Sequence, residues 1–146
     1  MNNKVVEERI PFIRDDLFII PDDPKEKPYL LGSKCKLCGR YFFPRKTVCY
    51  SCKEQSLEDL PLSRKGKLEA GTSSFIAPIG FEPPFIVGYI VLPEGVKFFT
   101  QLLVDGVPIE KVQEELKPGR EVELVIEKIR EDDLGNDVIG YKFKVL

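Results

Sequence analysis

Histidine is absent from all 146 residues, and no other gap in the sequence removes as much chemistry. Ser-His-Asp and Cys-His nucleophilic machinery is excluded, as are catalytic zinc and haem held by imidazole. The commonest general base near neutral pH is missing as well. Catalysis would need a perturbed Asp, Glu, Lys or Tyr, and no constellation of these stands out, so no catalytic residue is assigned and no enzyme is expected. The chain has no run of 18 apolar residues, hence no membrane-spanning helix and no membrane partner is expected. Its opening, "MNNKVVEERIPF", lacks the apolar stretch of a signal peptide. A cytoplasmic protein with reduced thiols is the expectation. The net charge is only −2, so the molecule as a whole is no polycation built for DNA.

What the sequence does hold is concentrated. All four cysteines fall in "CKLCGRYFFPRKTVCYSC", as Cys35, Cys38, Cys49 and Cys52. Two C-x2-C pairs separated by ten residues are two knuckles, each bringing two thiolates to one ion. Gly39 suits the first, because the turn wants a residue that tolerates positive φ. Four thiolates fill a tetrahedral shell and leave no place for water or substrate, so the centre reads as structural zinc, one ion per chain. Iron of the rubredoxin kind has the same ligand geometry and stays open at this point. Thioredoxin-type redox chemistry is disfavoured, since one CxxC suffices for it and no βαβ pattern surrounds these two.

The material around the cysteines is cationic. Lys34, Lys36, Arg40, Arg45, Lys46 and Lys53 lie between residues 33 and 53 without a single Asp or Glu. Four thiolates and a divalent ion leave that module at about +4. Residues 63–146 carry 11 basic and 14 acidic side chains, so a basic cap sits on an acidic body. Such a cap suits phosphate, with Arg40 and Arg45 favoured because guanidinium grips phosphate in two places. The neighbouring aromatics Tyr41, Phe42 and Phe43 are expected to supply a miniature core for the knuckles, or else to stack on a base.

The chain divides into an N-terminal extension at 1–32, a zinc ribbon with connector at 33–62, and a β-rich unit at 63–146. Ile10, Phe12, Phe18 and Ile19 would pack the extension onto the body or a partner. "GRYFFPRKTV" can make a small hairpin between the knuckles. From Lys65 on, "GKLEAGTSSFIAP", "FIVGYIVL", "VKFFTQLLV", "REVELVIEKIR" and "VIGYKFKVL" read as five strands. "PIEKVQEELKPG", between the third and fourth, predicts a short helix burying Ile109, Val112 and Leu116. Mainly β, with five strands and a helix before the fourth, is the order of an OB-fold barrel; an SH3-like barrel or small sandwich is the alternative.

A zinc ribbon running directly into an OB-fold narrows the field. "LLGSKCKLCGRYFFPRKTVCYSC", "KGKLEAGTSSF", "PPFIVGYIVLPEGVKFFTQL" and "LKPGREVELVIEKI" closely resemble the acyl-CoA-associated zinc-ribbon/OB-fold family, long catalogued as a domain of unknown function. The resemblance covers roughly residues 30–146. It implies an accessory scaffold that partners thiolase-like and hydroxymethylglutaryl-CoA synthase-like enzymes, or hydratases and aldolases acting on acyl-CoA, and helps bind CoA or acyl-CoA. On this reading Arg40, Arg45 and Lys46 meet the CoA phosphates, with Lys65 and Lys67 as secondary candidates. The competing expectation is a nucleic-acid-binding module, since ribbons and OB-folds both bind it. Against that stand the acidic barrel and the lack of regular basic and aromatic interleaving.

Overall fold

Strands bounded by Gly, Pro and Asp turns must find backbone partners, and in the computed structural model, which describes residues 17–53, 55 and 57–146, they do so in two sheets. The first is centred on β2 (Tyr29–Cys35), with β1 (Phe18–Ile19), β3 (Tyr41–Phe42) and β4 (Leu57–Pro61) all antiparallel to it. Strand β2 runs through the boundary expected at residues 32 and 33. Its Leu30 is fully buried while its Cys35 opens the first knuckle, so one strand serves both units. Phe18 is buried and Ile19 half-buried; Ile10 and Phe12 lie outside the described residues. Strand β4 falls in the segment read as a connector. Leu57 and Leu60 alone carry too weak an alternation to announce it, and pairing with β2 supplies the rest.

The second sheet is a closed barrel of β5 (Lys65–Ser74), β6 (Phe85–Val91), β7 (Lys97–Leu103), β9 (Asp137–Val145) and β8 (Glu121–Glu131), in that spatial order. Strands β7 and β9 pair in parallel, Leu102 with Phe143 and Leu103 with Lys144, and β5 closes onto β8. This is the OB-fold connectivity. Closure demands a sharp bend in the first strand, and β5 takes it through a bulge between Leu68 and Ala70. Opposite the bulge Gly88 has no room for a side chain: a Cβ there would lie 2.2 Å from the Ala70 carbonyl oxygen.

The predicted helix is a 3-10 helix, Ile109–Glu115. Val112 and Leu116 are buried as expected, but Ile109 is 42% exposed. The tighter winding keeps less of the segment on one face. Gln113 fastens it to the bend, its Nε2 donating to the Gly71 carbonyl (3.2 Å) and its Oε1 accepting from the Ser73 amide (2.9 Å).

A single apolar cluster joins the two sheets. Leu17, Phe18, Leu30, Phe43 and Leu62 from the first belong to the same buried set as Leu68, Ile90, Phe98, Leu124 and Phe143 of the barrel. Polar ties reinforce the seam. Arg64 donates to the Pro28 carbonyl and to the Leu124 carbonyl (2.8 Å), and pairs with Glu123 at 3.7 Å. The Ser63 amide and hydroxyl both donate to Glu94 Oε2 at 2.8 Å.

Candidate metal centre and its cationic surround

The two knuckles are built alike. In the first, the Gly39 amide donates to the Cys35 carbonyl (2.8 Å) and Gly39 takes φ 77°. In the second, the Lys53 amide donates to the Cys49 carbonyl (2.7 Å) and Lys53 takes φ 55°. A left-handed backbone costs a side-chain-bearing residue about 1–2 kcal/mol, which glycine avoids. Lys53→Gly is therefore expected to raise stability by about 0.5–1 kcal/mol, seen as a higher melting temperature of the metal-loaded protein. A lower one would show that the Lys53 side chain contributes more than its backbone costs.

These turns bring the Sγ atoms of Cys35, Cys38, Cys49 and Cys52 within 4.8 Å of one another. The contacts across the knuckles are 3.8 Å for Cys35 to Cys52 and 3.6 Å for Cys38 to Cys49. Sulfurs about 2.3 Å from a central ion at tetrahedral angles stand about 3.8 Å apart. The four positions therefore fit one tetrahedral ion. The Cys38 amide points at Cys35 Sγ (3.5 Å), the contact that holds a knuckle sulfur in place. The Cys52 thiol is pushed up to about 12, first by its hydrogen bond with Cys38, then by burial and by Cys35 and Cys49. A divalent ion inverts this preference by favouring thiolates. Cys35 and Cys49 are fully buried and Cys38 is exposed, so the inner pair is sheltered and the outer edge faces solvent.

The intervening residues differ from expectation. Only Tyr41 and Phe42 form a strand, and it pairs back onto Ser33 and Lys34 of β2. The hairpin thus encloses the first knuckle instead of joining the two. The aromatics do not make a private core either. Phe43 enters the shared core, 4.8 Å from the Phe98 ring and 5.7 Å from Tyr141, and the half-buried Tyr41 packs against the same core. Phe42 meets Tyr50 edge-on at 6.0 Å. The local pattern YFFP carries no sign of which ring turns inward; only the packing of the ribbon on the barrel decides it.

The candidate cations have different surroundings. Arg40 is exposed. Arg45 Nη1 donates to Asp59 Oδ2 on β4 at 2.8 Å. The Lys46 amide donates to the buried Ser33 hydroxyl (3.1 Å) and its ammonium lies 5.2 Å from the Tyr50 ring centroid. Arg40, Arg45 and Lys46 thus follow the first knuckle closely along the chain. Lys65 and Lys67 are on β5, opposite Glu123 and Glu121 of β8, so acidic neighbours surround them. The Arg45–Asp59 pair had no signal in the sequence, because β4 itself had none. Among the described residues, no helix is long and apolar enough to cross a membrane.

Comparison with known proteins gives concordant relatives. Residues 22–58 match the family model described as ChsH2, rubredoxin-like zinc ribbon domain. The chain is 38% identical over 144 residues to the benzoylsuccinyl-CoA thiolase subunit BbsA of Thauera aromatica, covering 97% of this chain and 94% of that one. It is 37% identical over 124 residues to a DUF35 domain-containing scaffold protein of Methanocaldococcus jannaschii, covering 82% of this chain and 84% of the relative. Among solved structures, the Ltp2-ChsH2(DUF35) aldolase superposes with a TM-score of 0.61 at 20% identity, over 80% of this chain and 84% of that one, a likeness of fold.

Proposed function

Since the chain belongs to the DUF35 family of zinc-ribbon and OB-fold proteins, we propose that it is a non-catalytic accessory subunit of a thiolase-like acyl-CoA enzyme. The observation that carries this reading is 38% identity along 97% of the chain to a thiolase subunit, in a sequence without histidine. The four cysteines would hold one structural zinc, which keeps the cationic segment between them in a fixed shape. That segment would help bind CoA or acyl-CoA. Arg40 and Lys46 are the leading residues, and Arg45 joins them if a phosphate displaces Asp59. Lys65 and Lys67 stay secondary because their cross-strand neighbours are acidic. Apolar surface is available for the enzyme partner on the loop between β5 and β6, where Phe75, Ile76 and Ile79 are strongly exposed. A hydroxymethylglutaryl-CoA synthase-like enzyme is a second partner that such a scaffold would hold beside the first.

The test is reconstitution. Co-expressed with a thiolase-like partner, the chain should elute as a stable complex, and CoA should bind the complex at least about tenfold tighter than the free chain. Arg40→Ala with Lys46→Ala should weaken CoA binding by about tenfold while leaving the complex intact. No complex with any thiolase-like or synthase-like enzyme would reject the accessory role. An intact complex whose CoA affinity ignores both substitutions would reject the CoA assignment alone.

A further inference from the structure

Two cavities on the barrel share a wall. One is a groove of about 320 Å³ whose sides include Phe81, Phe85, Val87 and Phe99. The other is a cleft of about 180 Å³ that carries Lys128, Arg130 and Lys142. Gln101 and Ile129 line both, so the apolar groove and the cationic cleft meet at these two residues, the cleft reaching in to Ile86 and Leu102.

Strand alternation shows why this groove is not simply part of the core. On β6 the residues Ile86, Gly88 and Ile90 turn inward, which sends Phe85, Val87 and Tyr89 to the outer face. On β7 the inward set is Phe98, Thr100 and Leu102, leaving Phe99 and Gln101 outside. The barrel has no need of these outer aromatics. They are nonetheless organised: Phe81 meets Phe85 edge-on at 5.0 Å, and Tyr89 meets Phe99 at 5.3 Å. The groove alone reaches the lower end of the ~300–1,000 Å³ range of small-molecule sites.

The cleft supplies a charge. Lys128 is taken up by Glu131 (2.9 Å) and Asp137 (3.3 Å), and Lys142 by Glu127 (3.2 Å). Arg130 makes no ion pair among the described residues, and its hydrogen bond to the Glu131 carbonyl is long, 3.4 Å. A guanidinium without a direct ion pair thus lies next to an apolar groove, with the carboxylate of Glu82 on the cleft wall and that of Asp132 close enough to feel its charge. We infer that the adjoining cavities together form a binding site for an organic anion with an apolar body. An aryl or branched acyl group lies in the groove, and a carboxylate or phosphate meets Arg130. The site uses none of the ribbon cations and does not depend on the accessory role proposed above.

The probe is 1-anilinonaphthalene-8-sulfonate, an aromatic anion whose emission rises when its rings leave water for an apolar surface. The zinc-loaded full chain should bind it saturably at one site. 4-Phenylbutyrate should displace it. Arg130→Ala and Phe99→Ser, both at solvent-accessible positions, should each weaken binding by about tenfold. Should either variant fail to fold, the comparison on the unaltered chain still decides, because 4-phenylbutyramide must compete at least about tenfold less well than the acid. Absent or non-saturable binding, or binding indifferent to both substitutions and to the ligand's charge, overturns the assignment.

Discussion

Cys49→Ser is expected to abolish stoichiometric metal binding and to unfold the N-terminal sheet while the barrel stays folded. Cys49 is fully buried and its sulfur is 3.6 Å from that of Cys38, so a hydroxyl there leaves three thiols unable to complete a tetrahedral shell. Binding free energies of structural zinc in small ribbons are of order 10 kcal/mol, and that energy is folding energy. The first sheet has little else to draw on: β1 and β3 are two residues each, and its main apolar side chains are shared with the barrel. The barrel has its own closed hydrogen-bond network and a core including Leu68, Ile90, Leu124 and Phe143. Hydrogen exchange should show the amides of Leu30 and Cys35 losing protection while those of Ile90 and Phe143 keep theirs. Chelation of zinc from the unaltered chain should reproduce the pattern. Retention of one equivalent of zinc with an unchanged melting temperature would sink the structural reading. A red, iron-loaded native protein would replace zinc with iron in the same shell.

Phe43→Ala should cost about 3–5 kcal/mol, the usual loss for a buried ring. Phe43 is 9% exposed and packs against Phe98 and Tyr141, so its removal opens a cavity in the seam between ribbon and barrel. Phe42→Ala should cost far less, about 1 kcal/mol, because that ring is only half-buried and meets Tyr50 at 6.0 Å. Chemical denaturation of the two variants, with zinc content measured in each, separates seam from metal site. Phe43→Ala should keep its zinc. Equal losses for the two substitutions would show that the seam does not run through Phe43.

The elements that announced themselves in the sequence are those whose signal is local. Barrel strands with steady alternation or long apolar runs, such as Val122, Leu124 and Ile126 or "FIVGYIVL", could be placed before any partner was known. Strand β5 was legible through its bend, and only its end was overrun. The expectation carried it through Phe75 and Ile76, yet it ends at Ser74 and both side chains are exposed. Strand β4 was hidden because pairing, and not propensity, makes it a strand. Ile109 was misplaced because a 3-10 segment rotates each residue further than an α-helix does.

By itself the sequence determined the ligand set of the metal centre, since two C-x2-C pairs leave four sulfurs and no imidazole to choose among. It also determined where the barrel strands lie along the chain, because alternation or a long apolar run is written in each segment separately, while their pairing order came from the tertiary structure. Only the tertiary structure decided that of Tyr41, Phe42 and Phe43 it is Phe43 that is buried in the shared core, that Arg45 is held by Asp59, and that an apolar groove meets a cationic cleft at Gln101 and Ile129. Each of these depends on residues far apart in the chain meeting across a sheet or a seam, and no local pattern encodes such a meeting.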